Sequence, residues 1–330
     1  MDAVRRIAET VLYEGHVLWP YRRSALKNRE RWTFGRLHPE GHRADGDAST
    51  LELQALLETD TIARVTVTLR FLHLVDRQVV RLGAGGPEGV DALEVEGRRY
   101  LTWDEATERE IVVADVVTGG APRRESFSVP AGRHEEELRD GGGERVGALV
   151  RTWRGLHGHV RLETMPLERG LVRLGVRVTN TTPWTDGGDR LLASTLLSTH
   201  LVLAAAGGAF VSLQDPPERL REAAAACRNV GTWPVLVGDP GARATLLGAP
   251  IVLYDHPQIA PESLGDFFDA TEIDQMLVLN VLALTDAERR DMAASDPRAR
   301  EIADRCAALS LDDFMRLHGA IRDRRVLGEV

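Results

Sequence analysis

Residues 157–170, "HGHVRLETMPLERG", bring two histidines and a glutamate into one short stretch. Side chains alternate along a strand, so His157, His159 and Glu163 would share one face there. Two imidazoles with a carboxylate are suitable ligands for Ni, Fe, Mn or Zn, and His200 could supply a further one. The competing reading is an exposed strand carrying two histidines. A second pattern is Asp255-His256 within "IVLYDHPQIAPESLGDFFDATEID", residues 251–274. A carboxylate beside an imidazole stabilises the imidazolium and moves its titration toward working pH, which would make Asp255 and His256 a catalytic acid-base pair. The structural alternative is a proline-stiffened loop whose Asp269 or Glu272 complements a helix dipole.

The third pattern is "YEGHVLWPYRRSALKNRERWTF", residues 13–34, which holds Lys27, the only lysine in the chain. Trp19, Tyr21, Arg22, Arg23, Lys27, Asn28 and Arg31 form a candidate binding segment. Aromatics between cations can stack on bases while the cations meet phosphates. They can equally dock within the chain, with guanidinium groups gripping the carboxylates of Glu262, Asp266, Asp269, Glu272 and Asp274. A net charge of -9 and a pI near 5.6 favour docking and argue against a nucleic-acid partner.

Other chemistries lack their signatures. No glycine-rich loop is followed by Lys and Ser or Thr, and "GAGGPEG" lacks the strand-to-helix context of a dinucleotide site. There is no G-x-S-x-G elbow. Cys227 and Cys306, the two cysteines, are far apart, so neither a disulfide framework nor a zinc ribbon is indicated. That usage, with no apolar run long enough to span a bilayer and no visible signal peptide, predicts a cytoplasmic protein without a membrane partner.

Elements must position these groups. Val4, Ile7, Ala8, Val11 and Leu12 predict a short N-terminal helix, and the turn formers of residues 36–49 predict a mobile loop. Alternating or β-branched runs at 50–58, 63–75, 109–117, 125–131, 147–154, 159–167 and 171–180 predict strands without intervening helices. Further strands are expected at "GGAFVSLQ", "TWPVLVG" and "APIVLYD", and a short helix at "PPERLREAAAACRN", while residues 189–205 read either way. Past Asp269 the spacing turns helical, with a capping box at Thr285 to Glu288, Pro297 opening another helix, and Ser310 with Asp313 resembling a third cap. The chain is therefore expected to be mainly β, an antiparallel β-sandwich or barrel-like body. Residues 1–49 would form the N-terminal helix and docking segment, 50–268 the β body and 269–330 a helical extension packed on it.

Two resemblances follow. The spacing of His157, His159 and Glu163, closed by Gly170, is similar to the first metal-binding motif of cupins. It departs where Arg151 replaces the leading glycine, and no second cupin motif follows. Over nearly the whole chain, "YEGHVLWPYRRSALKNRERWTFG", "VTNTTPW", "FVSLQDPPE", "CRNVGTWPVLVG", "IVLYDHPQIAPES" and "GDFFDATEIDQMLVLNVLALTDAE" resemble a family of actinobacterial proteins associated with gene clusters for nickel-iron hydrogenases. That resemblance implies a non-catalytic accessory or binding protein whose protein partner is a hydrogenase subunit or maturation factor. The cupin likeness implies instead a metal-dependent enzyme or metal-handling protein.

Overall fold

Apolar-polar alternation dictates most of what the computed structural model contains; it describes residues 2–13, 34–42, 44, 46–185, 190–258, 278–279, 281–295 and 297–309. In chain order the strands are β1 (Thr50–Glu58), β2 (Arg64–Gly83), β3 (Gly86–Val90), β4 (Ala92–Val95), β5 (Arg98–Leu101), β6 (Trp103–Val117), β7 (Arg123–Val129) and β8 (Gly132–Arg139). They continue with β9 (Arg145–Trp153), β10 (Leu156–Glu168), β11 (Leu171–Asn180), β12 (Leu197–Ala206), β13 (Ala209–Phe210), β14 (Trp233–Leu236) and β15 (Thr245–Ala249). The helices are α1 (Asp2–Tyr13), α2 (Arg221–Ala225), α3 (Asp286–Ser295) and α4 (Pro297–Ala307). The fold is mainly β, and every strand pairing among the described residues is antiparallel.

One sheet runs β13-β1-β11-β10-β7, the other β14-β15-β12-β2-β9-β8 with β3 and β6 also joined to β2. Leu51, Leu53 and Leu57 of β1 and Leu174, Val176 and Val178 of β11 share a core with Val65, Val67, Leu69 and Phe71 of β2. The Phe71 and Phe127 rings, one from each sheet, lie 6.0 Å apart. Each leucine buried in this core is worth about 2 kcal/mol, which is why the alternating residues commit these strands to two facing layers.

The long β2 organises the larger sheet. One edge pairs with β12 as far as Leu72 and then with β9 from Asp76, while the other pairs with β6 as far as Arg77 and then with β3 from Val79. Between Leu197 and His200 the β12 register shifts, with Ser198 at a φ of 51°. Such a bulge reverses which residues face the core. Leu201 and Leu203 accordingly point into the sandwich, whereas Leu197 joins Leu72 and Leu74 in a second cluster with Leu12, Met292, Ile302 and Cys306. Helix α1 places Ala8 and Val11 on Val235, Val237, Leu247 and Ala249.

The helical signals hold where they are described. Thr285 Oγ1 accepts from Glu288 N and the Glu288 carboxylate accepts from Thr285 N, at 3.3 and 2.9 Å, closing the capping box before α3. Pro297 opens α4, where a missing N–H costs nothing. Ser310 and Asp313 lie outside the described residues. No helix among the described residues is long and apolar enough to cross a membrane.

Several expectations need correction. The loop within 36–49 is tied down: Leu37 exchanges two backbone hydrogen bonds with Leu196, and the buried His38 meets Thr195 Oγ1 at 3.0 Å. Strand β6 starts at Trp103 rather than 109, and β3, β4, β5 and β8 lie outside the expected strands. "GGAFVSLQ" contributes only the two residues of β13, and residues 197–206 of the ambiguous stretch form β12. "APIVLYD" is not a strand; the strand is the preceding "TLLGA", β15.

Candidate functional site

His157, His159 and Glu163 all stand on β10, on the face turned away from the core, because Val160 and Leu162 point inward. The alternation that gives them one face also spreads them along it, at about 6.6 Å for every second residue. They do not converge, and no group of three or more potential ligands comes together among the described residues. The glycines of this stretch have local causes. A Cβ on Gly158 would lie 2.4 Å from the Phe127 ring, and Gly170, at a φ of 81°, makes the turn between β10 and β11. His200 is remote in role: it is fully buried opposite Arg70, its Nδ1 bonded to the Ser198 carbonyl at 3.0 Å.

What β10 does assemble is a row of arginines. Arg161 is directly opposite Arg124 of β7 on one side and Arg177 of β11 on the other. One step along, His159 is opposite Thr179, which in turn faces Thr50 of β1. These side chains line a groove of about 380 Å³ together with Glu40, Pro122 and Arg123. Arg177 pairs with Glu52 at 2.7 Å, Arg161 reaches Glu163 only at 3.7 Å, and Arg124 donates to His159 Nδ1 at 3.1 Å. Burial, then the Arg124 charge, lowers the His159 pKa below the usual histidine range against a smaller pull from Glu40. A neutral His159 that accepts at Nδ1 must carry its proton on Nε2. The available signal was the polar parity of "HVRLE" and "LVRLGVRV"; what joins them is strand pairing, which has no linear motif.

Asp255 and His256 occupy a different surface. The Asp255 carboxylate accepts from Ser212 Oγ and, at 2.7 Å, from Leu236 N, while His256 N donates to Leu236 O at 2.7 Å. His256 adopts a φ of 55°. Together these bonds fasten residues 251–256 as a strap along β14, and both Asp255 oxygens are committed to it. The Asp255 carboxylate and the His256 backbone thus fasten this segment. The strap carries Val252 and Tyr254 outward, 72% and 84% exposed, and the indole N–H of Trp233, itself 41% exposed, donates to Leu253 O at 2.9 Å.

Two ionic clusters, built around the buried Arg70 and Arg77, have no linear signature in the sequence. Glu108 of β6 receives Tyr13 Oη at 2.6 Å, Arg298 Nη2 at 3.2 Å and Arg70 Nη2 at 3.3 Å, linking α1, α4 and β2. Arg77 donates to Glu105 at 2.7 Å, to Leu101 O and to Ala294 O, and Arg151 reaches the other Glu105 oxygen at 2.7 Å. The proposed segment of Trp19, Tyr21, Arg22, Arg23, Lys27, Asn28 and Arg31, and its acidic counterpart from Glu262 to Asp274, lie outside the described residues. No protein-family model matches the chain, and no curated protein matches it.

Proposed function

We propose that this chain is a non-catalytic accessory protein that holds a protein partner against the strap-covered edge of the larger sheet. The observation carrying this reading is the cluster of Trp233, Val252 and Tyr254. Contiguous exposed apolar surface marks interaction sites, and aromatic side chains are the residues that most often anchor them. The strap is fixed by Asp255 and His256 to β14, so its outward side chains are held ready for a partner with little further loss of freedom. The motif resemblance of the whole chain directs the proposal to a subunit or maturation factor of a nickel-iron hydrogenase.

The test is affinity purification of the tagged full chain from its native cell under mild conditions. A hydrogenase subunit or maturation factor should co-purify with the wild type and be lost at least tenfold with Val252→Asp/Tyr254→Asp, while the unfolding midpoint stays unchanged. Recovery of neither kind of protein with the wild type sinks the proposal.

A further inference from the structure

We propose that the arginine-lined groove on the outer face of the five-stranded sheet binds a diphosphate group, a role separate from partner recognition at the strap. The strand register fixes the argument. Arg124, Arg161 and Arg177 are directly opposite one another on three adjacent strands, so their anchor points repeat at about 4.8 Å and the row spans about 10 Å. Like charges placed opposite each other destabilise a sheet. Elsewhere in this molecule facing arginines share a carboxylate: Arg77 and Arg151, opposite on β2 and β9, both bond Glu105, and Arg139 and Arg145, opposite on β8 and β9, both pair with Glu137. In the groove no carboxylate is shared between the facing arginines among the described residues: Arg177 pairs with Glu52 at 2.7 Å, Arg161 has Glu163 at 3.7 Å, and Arg124 has His159 as its polar partner.

The groove is also rich in donors, with Glu40 the one carboxylate among its lining residues. Guanidinium groups only donate, the His159 Nε2–H donates, and the Thr50 and Thr179 hydroxyls can donate. A ligand rich in acceptor oxygens and negative charge satisfies that set, with arginine forks meeting phosphoryl oxygens in pairs. The volume of about 380 Å³ is that of a small-molecule site. An extended acidic peptide fits less well, because carboxylates on one face of a strand repeat at about 6.6 Å, wider than the repeat of about 4.8 Å between the arginines. Two linked phosphoryl groups are closer together and reach all three arginines, whereas a single phosphate reaches two.

Titration calorimetry of the full chain at low salt tests this with inorganic pyrophosphate, orthophosphate, ADP and an oligoglutamate peptide. Pyrophosphate should saturate one site at least tenfold more tightly than orthophosphate. Equal affinity for ADP identifies the diphosphate itself as what is read; tighter ADP binding identifies an organic diphosphate as the source. Arg124→Gln/Arg161→Gln should weaken pyrophosphate at least tenfold, and Arg124→Lys, which keeps the charge but loses the fork, by a smaller factor. Arg133→Gln, which removes a like charge on the other sheet, should leave it unchanged. No saturable binding of either diphosphate, unaltered affinity in the double variant, or tighter binding of oligoglutamate overturns the proposal.

Discussion

Arg77 and Arg161 both stand on antiparallel strands with a glutamate in reach, but their settings differ. Arg77 is buried, bonded to Glu105 at 2.7 Å and capped by the Ala294 carbonyl of α3. Arg161 is open to solvent, with Glu163 at 3.7 Å and two more arginines beside it. In the helix-covered region Arg70 and Arg77 are matched by Glu108 and Glu105, and the matches tie distant parts of the chain together. On the open face of the five-stranded sheet the facing Arg124, Arg161 and Arg177 share no carboxylate among the described residues. The same side chain serves cohesion in one place and is free for recognition in the other, and cover by helices decides which.

The largest expected effect tests how firmly the covered region excludes charge. Burial, reinforced by Arg109, holds His73 at a pKa of about 4; burial holds His200 at about 4, opposed by the Ser198 carbonyl and reinforced by Arg70. Above pH 6.5 both imidazoles are neutral folded or unfolded, so they impose no penalty. Between pH 6.5 and about 4 the unfolded chain takes up protons that the folded chain refuses. Stability therefore falls as pH drops through that window, by about 3 kcal/mol for each histidine. Urea unfolding across the window should give His200→Asn a slope shallower than the wild type by about one proton; equal slopes would remove His200 from the comparison.

Arg77→Met should cost about 3 kcal/mol, because the Leu101 and Ala294 carbonyls lose their donor and Glu105 keeps only Arg151. A loss below about 0.5 kcal/mol, the range of ordinary surface substitutions, would show that cover by α3 adds nothing to this ion pair. Thr285→Ala, which opens the capping box of that covering helix, should cost about 1 kcal/mol in thermal unfolding. Smallest, and opposite in sign, Arg161→Gln should raise stability by a few tenths of a kcal/mol, roughly the repulsion relieved between facing like charges. A destabilisation instead would mean that Arg161 supports the sheet.

Strands whose one face is buried were legible from the sequence. β1 and β11 coincide with their alternating runs because every second residue enters the core. β8 was not legible, since Leu138 is its only fully buried residue and its charges are satisfied across to β9. The first residues of β6 are polar because Glu105 and Glu108 serve buried arginines, a purpose visible only once β2 is beside them. "IVLYD" misled in the other direction: its apolar side chains at Val252 and Tyr254 face solvent. The arginine row draws on β7, β10 and β11, and the register that aligns them is a property of pairing that no single segment contains.

β2 has a consequence for how the molecule is made. Its first half carries Val65, Val67, Leu69 and Phe71, and one edge of that half is completed by β12, which begins at Leu197. β6, β9 and β3 are all synthesised earlier. Closing so long a loop is slow compared with forming the neighbouring hairpins. During synthesis, residues 64–72 therefore wait with an unpaired apolar edge until β12 leaves the ribosome, and this is the segment of the nascent chain that most needs protection from other strands.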